Sequence, residues 1–225
     1  MKKRWEVAVA GALLFSTVAW GQTSAEGKYH AAGIAQGGDI AYPMNSQTPG
    51  FVTLDVSLDG TGKLQNVGVV RDLPPFTSVA QSAVKSWQFM PATVDGHGVA
   101  GTVRVIVAFN PYNPSGVGLP GESLPPANGN GGASGDFQPA QLQKAGYATY
   151  PPNTVTSGTV VLKIHVESDG KVHGVVVVRG IESLDGAATG AMKTWRFAPA
   201  SYQGNTVGSE VIVAFVFAPP QAGTR

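Results

Sequence analysis

Apolar and polar residues alternate at two places in this chain, at Val52, Leu54, Val56 and Leu58 and again at Val160, Leu162, Ile164 and Val166. A period of two predicts a strand with one buried face. Asp59-Gly60-Thr61-Gly62 and Ser168-Asp169-Gly170 follow as turns, because glycine tolerates the positive φ of tight hairpins. Second strands follow, through Val67 and Val69 and through Val175 and Val177. The period then changes. Apolar residues at 79, 80, 83, 84 and 87, and at 187, 188, 191, 192 and 195, mark one face of a helix. Thr77 and Asp185 stand where an N-cap is wanted, Lys85 and Lys193 fall in the last turn, and Pro91 and Pro199 stop the helix. A third alternating strand is predicted through Val103, Val105, Val107 and Phe109, and another through Val211, Val213, Phe215 and Phe217.

The pattern occurs twice because the sequence does. A shift of 108 positions aligns residues 42–111 with 150–219 without a gap, with 26 identities over 70 positions. Tyr42-Pro43 matches Tyr150-Pro151, and Gly62-Lys63 matches Gly170-Lys171. Trp87 matches Trp195, and Pro91-Ala92 matches Pro199-Ala200. The expected fold class is α+β, with two tandem β-β-α-β domains at residues 39–111 and 137–220. Each would be a three-stranded antiparallel-type sheet, in the order second, first, third, with one helix on one face. Two copies fit independent domains better than a solenoid, which needs at least about three repeats. Residues 112–136, rich in Pro, Gly, Ser and Asn, read as a linker, and residues 22–38 as a loose N-terminal segment. Trp87 and Trp195 fall among the apolar residues facing the sheet, so they read as core.

Composition narrows the setting. Met1-Lys2-Lys3-Arg4, the apolar run from Val7 to Val18, and Ala19-Trp20-Gly21 form the three regions of a signal peptide over residues 1–21. The apolar run is shorter than the ~20 residues a spanning helix needs, so no stable membrane anchor is expected. Cleavage before Gln22 would remove Lys2, Lys3, Arg4 and Glu6 and take the formal charge from +1 to −1. A near-neutral protein has no electrostatic reason to bind nucleic acid. The expected location is periplasmic or secreted.

Candidate chemistry is sparse. There is no cysteine, so disulfides, thiolate metal sites and a cysteine nucleophile are excluded. Residues 116–121, Gly-Val-Gly-Leu-Pro-Gly, match the dinucleotide fingerprint in letters but run into prolines where a helix is required. A hairpin centred on Asp169 would place His165 beside His173 and Glu167 opposite Lys171. Two imidazoles make a weak candidate metal pair, since a zinc site usually takes three or four ligands. No catalytic residue and no cofactor is expected.

Tyr150-Pro151, residues 168–172 (Ser-Asp-Gly-Lys-Val), residues 184–188 (Leu-Asp-Gly-Ala-Ala), residues 195–200 (Trp-Arg-Phe-Ala-Pro-Ala), Gly204 and Val207 together resemble the TonB C-terminal domain family. The first copy departs from the pattern at Gln88 and at Phe76-Thr77. The resemblance implies a periplasmic module that binds a protein or peptide of the cell envelope, such as a segment of an outer-membrane receptor, by strand addition. It leaves two readings open, an exported interaction module and a short energy transducer with an uncleaved anchor. In the expected sheet the third strands are free edges, so Val103, Val105, Val107, Phe109, Val211, Val213, Phe215 and Phe217 are the candidate peptide-binding residues. These edges are long and apolar, so a partner, the other copy or a homodimer would have to cover them. The mature protein is expected to start at Gln22, which N-terminal sequencing of the purified envelope protein checks; an intact Met1 in most molecules would refute the signal peptide.

Overall fold

The structure, a computed structural model, describes residues 29–43, 46–125 and 137–220. The expected signal peptide, residues 22–28 and residues 126–136 of the linker lie outside that range. The first copy comprises β1 (Tyr29–His30), β2 (Gly33–Gln36), β3 (Gly50–Leu58), β4 (Leu64–Arg71), α1 (Phe76–Val84), β5 (Gln88–Met90), β6 (Ala92–Val94), β7 (His97–Val99) and β8 (Gly101–Asn110). After β9 (Glu122–Ser123), the second copy repeats the series. It consists of β10 (Phe137–Gln138), β11 (Gln141–Ala145), β12 (Gly158–Val166), β13 (Val172–Arg179), α2 (Glu182–Ala191), β14 (Arg196–Ala198), β15 (Ala200–Tyr202), β16 (Asn205–Val207) and β17 (Ser209–Phe217). The described residues are α+β, with two α-helices among mostly strands.

The long strands form one six-stranded sheet in the order β13-β12-β17-β8-β3-β4. This corrects the expectation of two separate three-stranded sheets. Within each half the neighbours are antiparallel, but β8 and β17 run parallel, from Arg104 opposite Val211 to Asn110 opposite Phe217. Parallel neighbours built from equivalent units are related by a half-turn about an axis along the strands, and such a turn exchanges the faces of the sheet. The packing agrees. Along β12, Val160, Leu162, Ile164 and Val166 join the core under α2, while Val161 joins the core under α1. Successive strand residues point to opposite faces, so the helices cover opposite sides.

Each core is consequently shared. The α2 side contains Phe51, Ile106 and Ala108 of the first copy, and the α1 side contains Val161, Ile212, Ala214 and Val216 of the second. Phe51 packs edge-on against Trp195, with ring centroids 5.7 Å apart, and stacks on Tyr147 at 4.6 Å. The two cores therefore interleave, each completed by residues of the other copy, where two self-contained cores were expected.

Of the loose segment expected at residues 22–38, the described part, residues 29–38, contains two short strands. β1 pairs with β6 and β2 with β5, and Ala32 and Ile34 are buried. The second copy matches at the same 108-residue offset, with β10 on β15 and β11 on β14. The described part of the linker is tied down as well. β9 pairs with β11, and Leu124 enters the core under α2.

Local chemistry explains the helix starts and hairpins. Thr77 and Asp185 are not N-caps but lie inside the first turns of their helices. Each reaches back to a backbone N–H: Leu73 donates to Thr77 Oγ1 and Ile181 to Asp185 Oδ1, both at 2.7 Å. Each side chain thus satisfies a backbone N–H at the entry to its helix. Gly170 is required at its hairpin on two counts, a φ of +81° and a Phe197 carbonyl oxygen 2.0 Å from where a Cβ would stand. Trp87 and Trp195 are both buried, and the Trp195 indole N–H donates to Gly146 O at 2.9 Å.

Because the cores interleave, Trp195→Ala is expected to cost about 3–5 kcal/mol and to lower the stability of both copies in one cooperative transition. Urea unfolding followed by Trp87 fluorescence and by circular dichroism checks this; a first copy that unfolds at its wild-type midpoint would contradict it.

Candidate functional site: the edges of the sheet

A strand offers a binding edge only while one side of its backbone is unpaired. β8 pairs with β3 on one side and β17 on the other, and β17 pairs with β12 and β8. The candidate edge residues Val103, Val105, Val107, Phe109, Val211, Val213, Phe215 and Phe217 are at most 1% exposed. They are central core residues, not an open edge, and the cover that their apolar character called for is supplied by the other copy. The missed signal lay between them. Ile106 and Ala108, and Ile212, Ala214 and Val216, make Val105–Phe109 and Val211–Phe217 continuously apolar. A strand buried on both faces reads that way.

The junction is reinforced on both faces. On the back of the first copy, Arg104 Nε and Nη2 donate to Asp55 Oδ1 and Oδ2, each at 2.8 Å, with both residues buried. Arg104 Nη1 also donates to the carbonyls of Pro139 and Ala140 in the second copy. On the back of the second copy, Thr159 exchanges hydrogen bonds with the backbone of Ile40, and Arg179 pairs with Asp39 at 2.6 Å. Each copy's N-terminal segment thus covers the bare face of the other. At the close of the junction, the Asn110 side chain accepts the Ala148 N–H, and the Ala218 N–H donates to Asn110 O.

Only β4 and β13 end the six-stranded sheet. They are equivalent strands with different surfaces. On β4, Gln65 and Asn66 are exposed while Val67 and Val70 are buried. Gln81 Nε2 donates to Val67 O, and Arg71 Nη2 donates to Pro125 O at 2.7 Å. On β13, Val175, Val176 and Val177 are 36%, 55% and 40% exposed, a run of three large apolar side chains. The residue equivalent to Gln81 is Thr189, whose hydroxyl bonds back to Asp185 O at 2.8 Å. Register shifts bracket the flat part of β13, one near His173 and one near Val178.

The first of those shifts corrects the histidine pair. His165 stands opposite Gly174, not His173, because the bulge adds a residue to β13. His173 Nδ1 instead lies 3.0 Å from Glu167 Oε1, and Lys171 pairs with Asp169 rather than Glu167. Hydrogen bonds from Lys171, from its ammonium first, hold the Asp169 carboxyl below its usual pKa. Among the described residues, no group of three or more His, Cys, Asp or Glu could hold a metal ion.

A cleft of about 520 Å³ lies against α2, lined by Gly186, Gly190, Tyr147, Thr149 and Thr194, with Lys144 as its only charged residue. Thr194 Oγ1 donates to Ala191 O, and the Tyr147 hydroxyl to Glu122 Oε2. Burial, with the Glu122 charge second, pushes the Tyr147 phenol well above its ordinary pKa. Residues 116–121 have no helix behind them: the backbone from there to β9 is irregular. No helix among the described residues is long and apolar enough to cross a membrane.

The chain belongs to the family of Gram-negative bacterial TonB protein C-terminal domains, whose family model matches residues 40–111 and again residues 148–219. That family consists of protein-interaction domains, which supports a protein partner in general. No curated protein and no solved structure matches the chain.

Removing one partner of a buried ion pair leaves a charge unpaired. Arg104→Met is therefore expected to destabilise the fold by about 3–5 kcal/mol, and the double variant with Asp55→Leu by clearly less. The equivalent region of the second copy holds Lys163 and Glu210 3.3 Å apart and partly exposed, so Lys163→Met should cost no more than about 1 kcal/mol. Denaturant unfolding of the four proteins measures all three, and equal losses at Arg104 and Lys163 would refute the asymmetry.

Proposed function

We propose that this protein is an exported interaction module of the cell envelope, and that it takes an extended segment of a partner protein by strand addition at the outer edge of β13. Membership of a protein-interaction family supports the general role. The signal-peptide pattern at residues 1–21 supports export. The observation that carries the binding mode is the exposed run Val175, Val176 and Val177 on a strand that ends the sheet. An added strand would gain backbone hydrogen bonds along β13 and apolar contacts on both faces. The same addition at β8 or β17 would require opening the central pair and exposing side chains that are now buried, at about 1.5–3 kcal/mol for each large one. A short segment cannot supply that.

A photo-reactive amino acid in place of Val176 tests the site inside intact cells. It is expected to cross-link a second, different polypeptide, while the same group at Gly68, the equivalent position on β4, does not. Equal yields from the two positions, or none from Val176, would remove β13 as the binding edge.

A further inference from the structure

The second copy has a short strand that the first copy lacks. Its short ribbon has three strands, β14-β11-β9, with Glu122 of β9 opposite Ala145 and Ser123 opposite Lys144. The Leu124 N–H donates to Gln143 O at 2.8 Å, and the Leu124 side chain enters the core under α2. The matching ribbon of the first copy has only β2 and β5. Both ribbons carry the same register shift, between Leu142 and Lys144 and between Ile34 and Gln36. The residues that meet β9 therefore correspond to Ala35, Gln36 and Gly37. Ala35 and Gln36 are exposed, and among the described residues only β5 pairs with β2. One buried group registers the difference. Trp195 donates its indole N–H to Gly146 O, just beyond β11. Gly38 holds the equivalent place, so close to Trp87 that a Cβ on it would stand 3.3 Å from Nε1. Yet Trp87 Nε1 is buried without an acceptor among the described residues. A buried donor left unpaired is uncommon and costs stability.

We propose that the outer edge of β2 is a further binding place, and that it takes an extended segment of a partner protein in which an apolar anchor follows two polar residues, as in residues 122–124. This place is separate from the outer edge of β13. The filled copy supplies the geometry. The segment runs antiparallel to β2, its first polar residue opposite Gly37 and its anchor donating to Ala35 O. Pairing at Gly37 fixes the backbone leading into Gly38, as pairing at Ala145 does for Gly146, and brings Gly38 O onto the Trp87 indole N–H. The chain's own N-terminus does not reach. With a mature start at Gln22, the tightest two-residue hairpin sets Glu26 opposite Tyr29 and Gln22 opposite Gly33, short of Ala35. The repeat positions of Glu122 and Ser123 fall at residues 14 and 15, inside the expected signal peptide. Residues 122–124 of another copy are already committed to its own β11. Arg71, which holds Pro125 O beside β9, corresponds to Arg179, and that guanidinium is held by Asp39 and Thr159 O. A segment on β2 thus has fewer contacts than β9 and exchanges with solvent.

The mature chain carries two tryptophans, Trp87 and Trp195, so a nitrogen-15-labelled sample gives two indole N–H signals, which Trp87→Phe assigns. The probe is a synthetic peptide of residues 119–126, Leu-Pro-Gly-Glu-Ser-Leu-Pro-Pro. Titration is expected to move the Trp87 indole proton downfield, as a new hydrogen bond does, and to leave the Trp195 signal in place. A peptide with aspartate at the anchor should bind at least about tenfold more weakly, because the burial of one leucine is lost. With a photo-reactive residue in place of the peptide's serine, irradiation should attach it at or beside Gln36. An unmoved Trp87 signal at millimolar peptide, equal affinity for the aspartate peptide, or attachment away from β2 overturns the proposal. Attachment at residues 174–177 would assign the peptide to β13, which removes the β2 place and leaves the β13 reading standing.

Discussion

The parallel pairing of β8 with β17 is the constraint on which the rest of the structure depends. A single β-β-α-β unit covers one face of a three-stranded sheet with one helix and leaves an apolar edge and an apolar back. Joining two third strands in parallel removes both edges at once. The half-turn that makes the strands parallel also puts the helices on opposite faces, so each unit's bare back lies on the side of the other unit's helix. The N-terminal segments then need only to run across the junction, where Tyr29 stacks on Tyr202 and contacts Phe137. Side chains on both faces of the two central strands are buried, which is why Val105–Phe109 and Val211–Phe217 carry no polar residue.

Much of this was legible in the sequence. The 108-residue repeat, the two hairpin strands, the helix face and the core placement of Trp87 and Trp195 all follow from period and spacing. The misread parts share a cause, which is that each depends on contacts between the copies. A period-two reading of Val103, Val105, Val107 and Phe109 is correct for one face, but it passes over Ile106 and Ala108, which serve the other copy's core. Residues 29–38 look loose because their strands are two and four residues long and their packing partners lie far along the chain. The supposed histidine pair failed for a local reason. A bulge shifts register by one residue, and no turn motif at residues 168–170 announces it.

The two copies have diverged where symmetry would otherwise force equal solutions. Arg104 and Asp55 form a buried, fully bonded pair, whereas the positions 108 residues later hold Ile212 and Lys163, and Lys163 turns to Glu210 at the surface. The outer edges differ as well: Gly68 stands where β13 has Val176, and Gln81 bonds Val67 O on β4, whereas Val175, Val176 and Val177 of β13 are exposed. A symmetric dimer of a single unit could not make these choices separately, because every substitution would appear on both sides of its axis. Covalent duplication frees each side, and the family's interaction surface can then be kept, buried or moved independently in each half.

The covalent connection also acts on the order of events during folding. Two units on separate chains meet at their ambient concentration, whereas units on one chain see each other at an effective concentration in the millimolar range. Until β8 and β17 pair, each is an unpaired apolar edge, and the nearest complementary strand is the sister copy, not a neighbouring molecule. Tandem duplication thus works as a built-in guard against runaway cross-chain assembly, closing the most adhesive edge of each unit before a crowded compartment can find it.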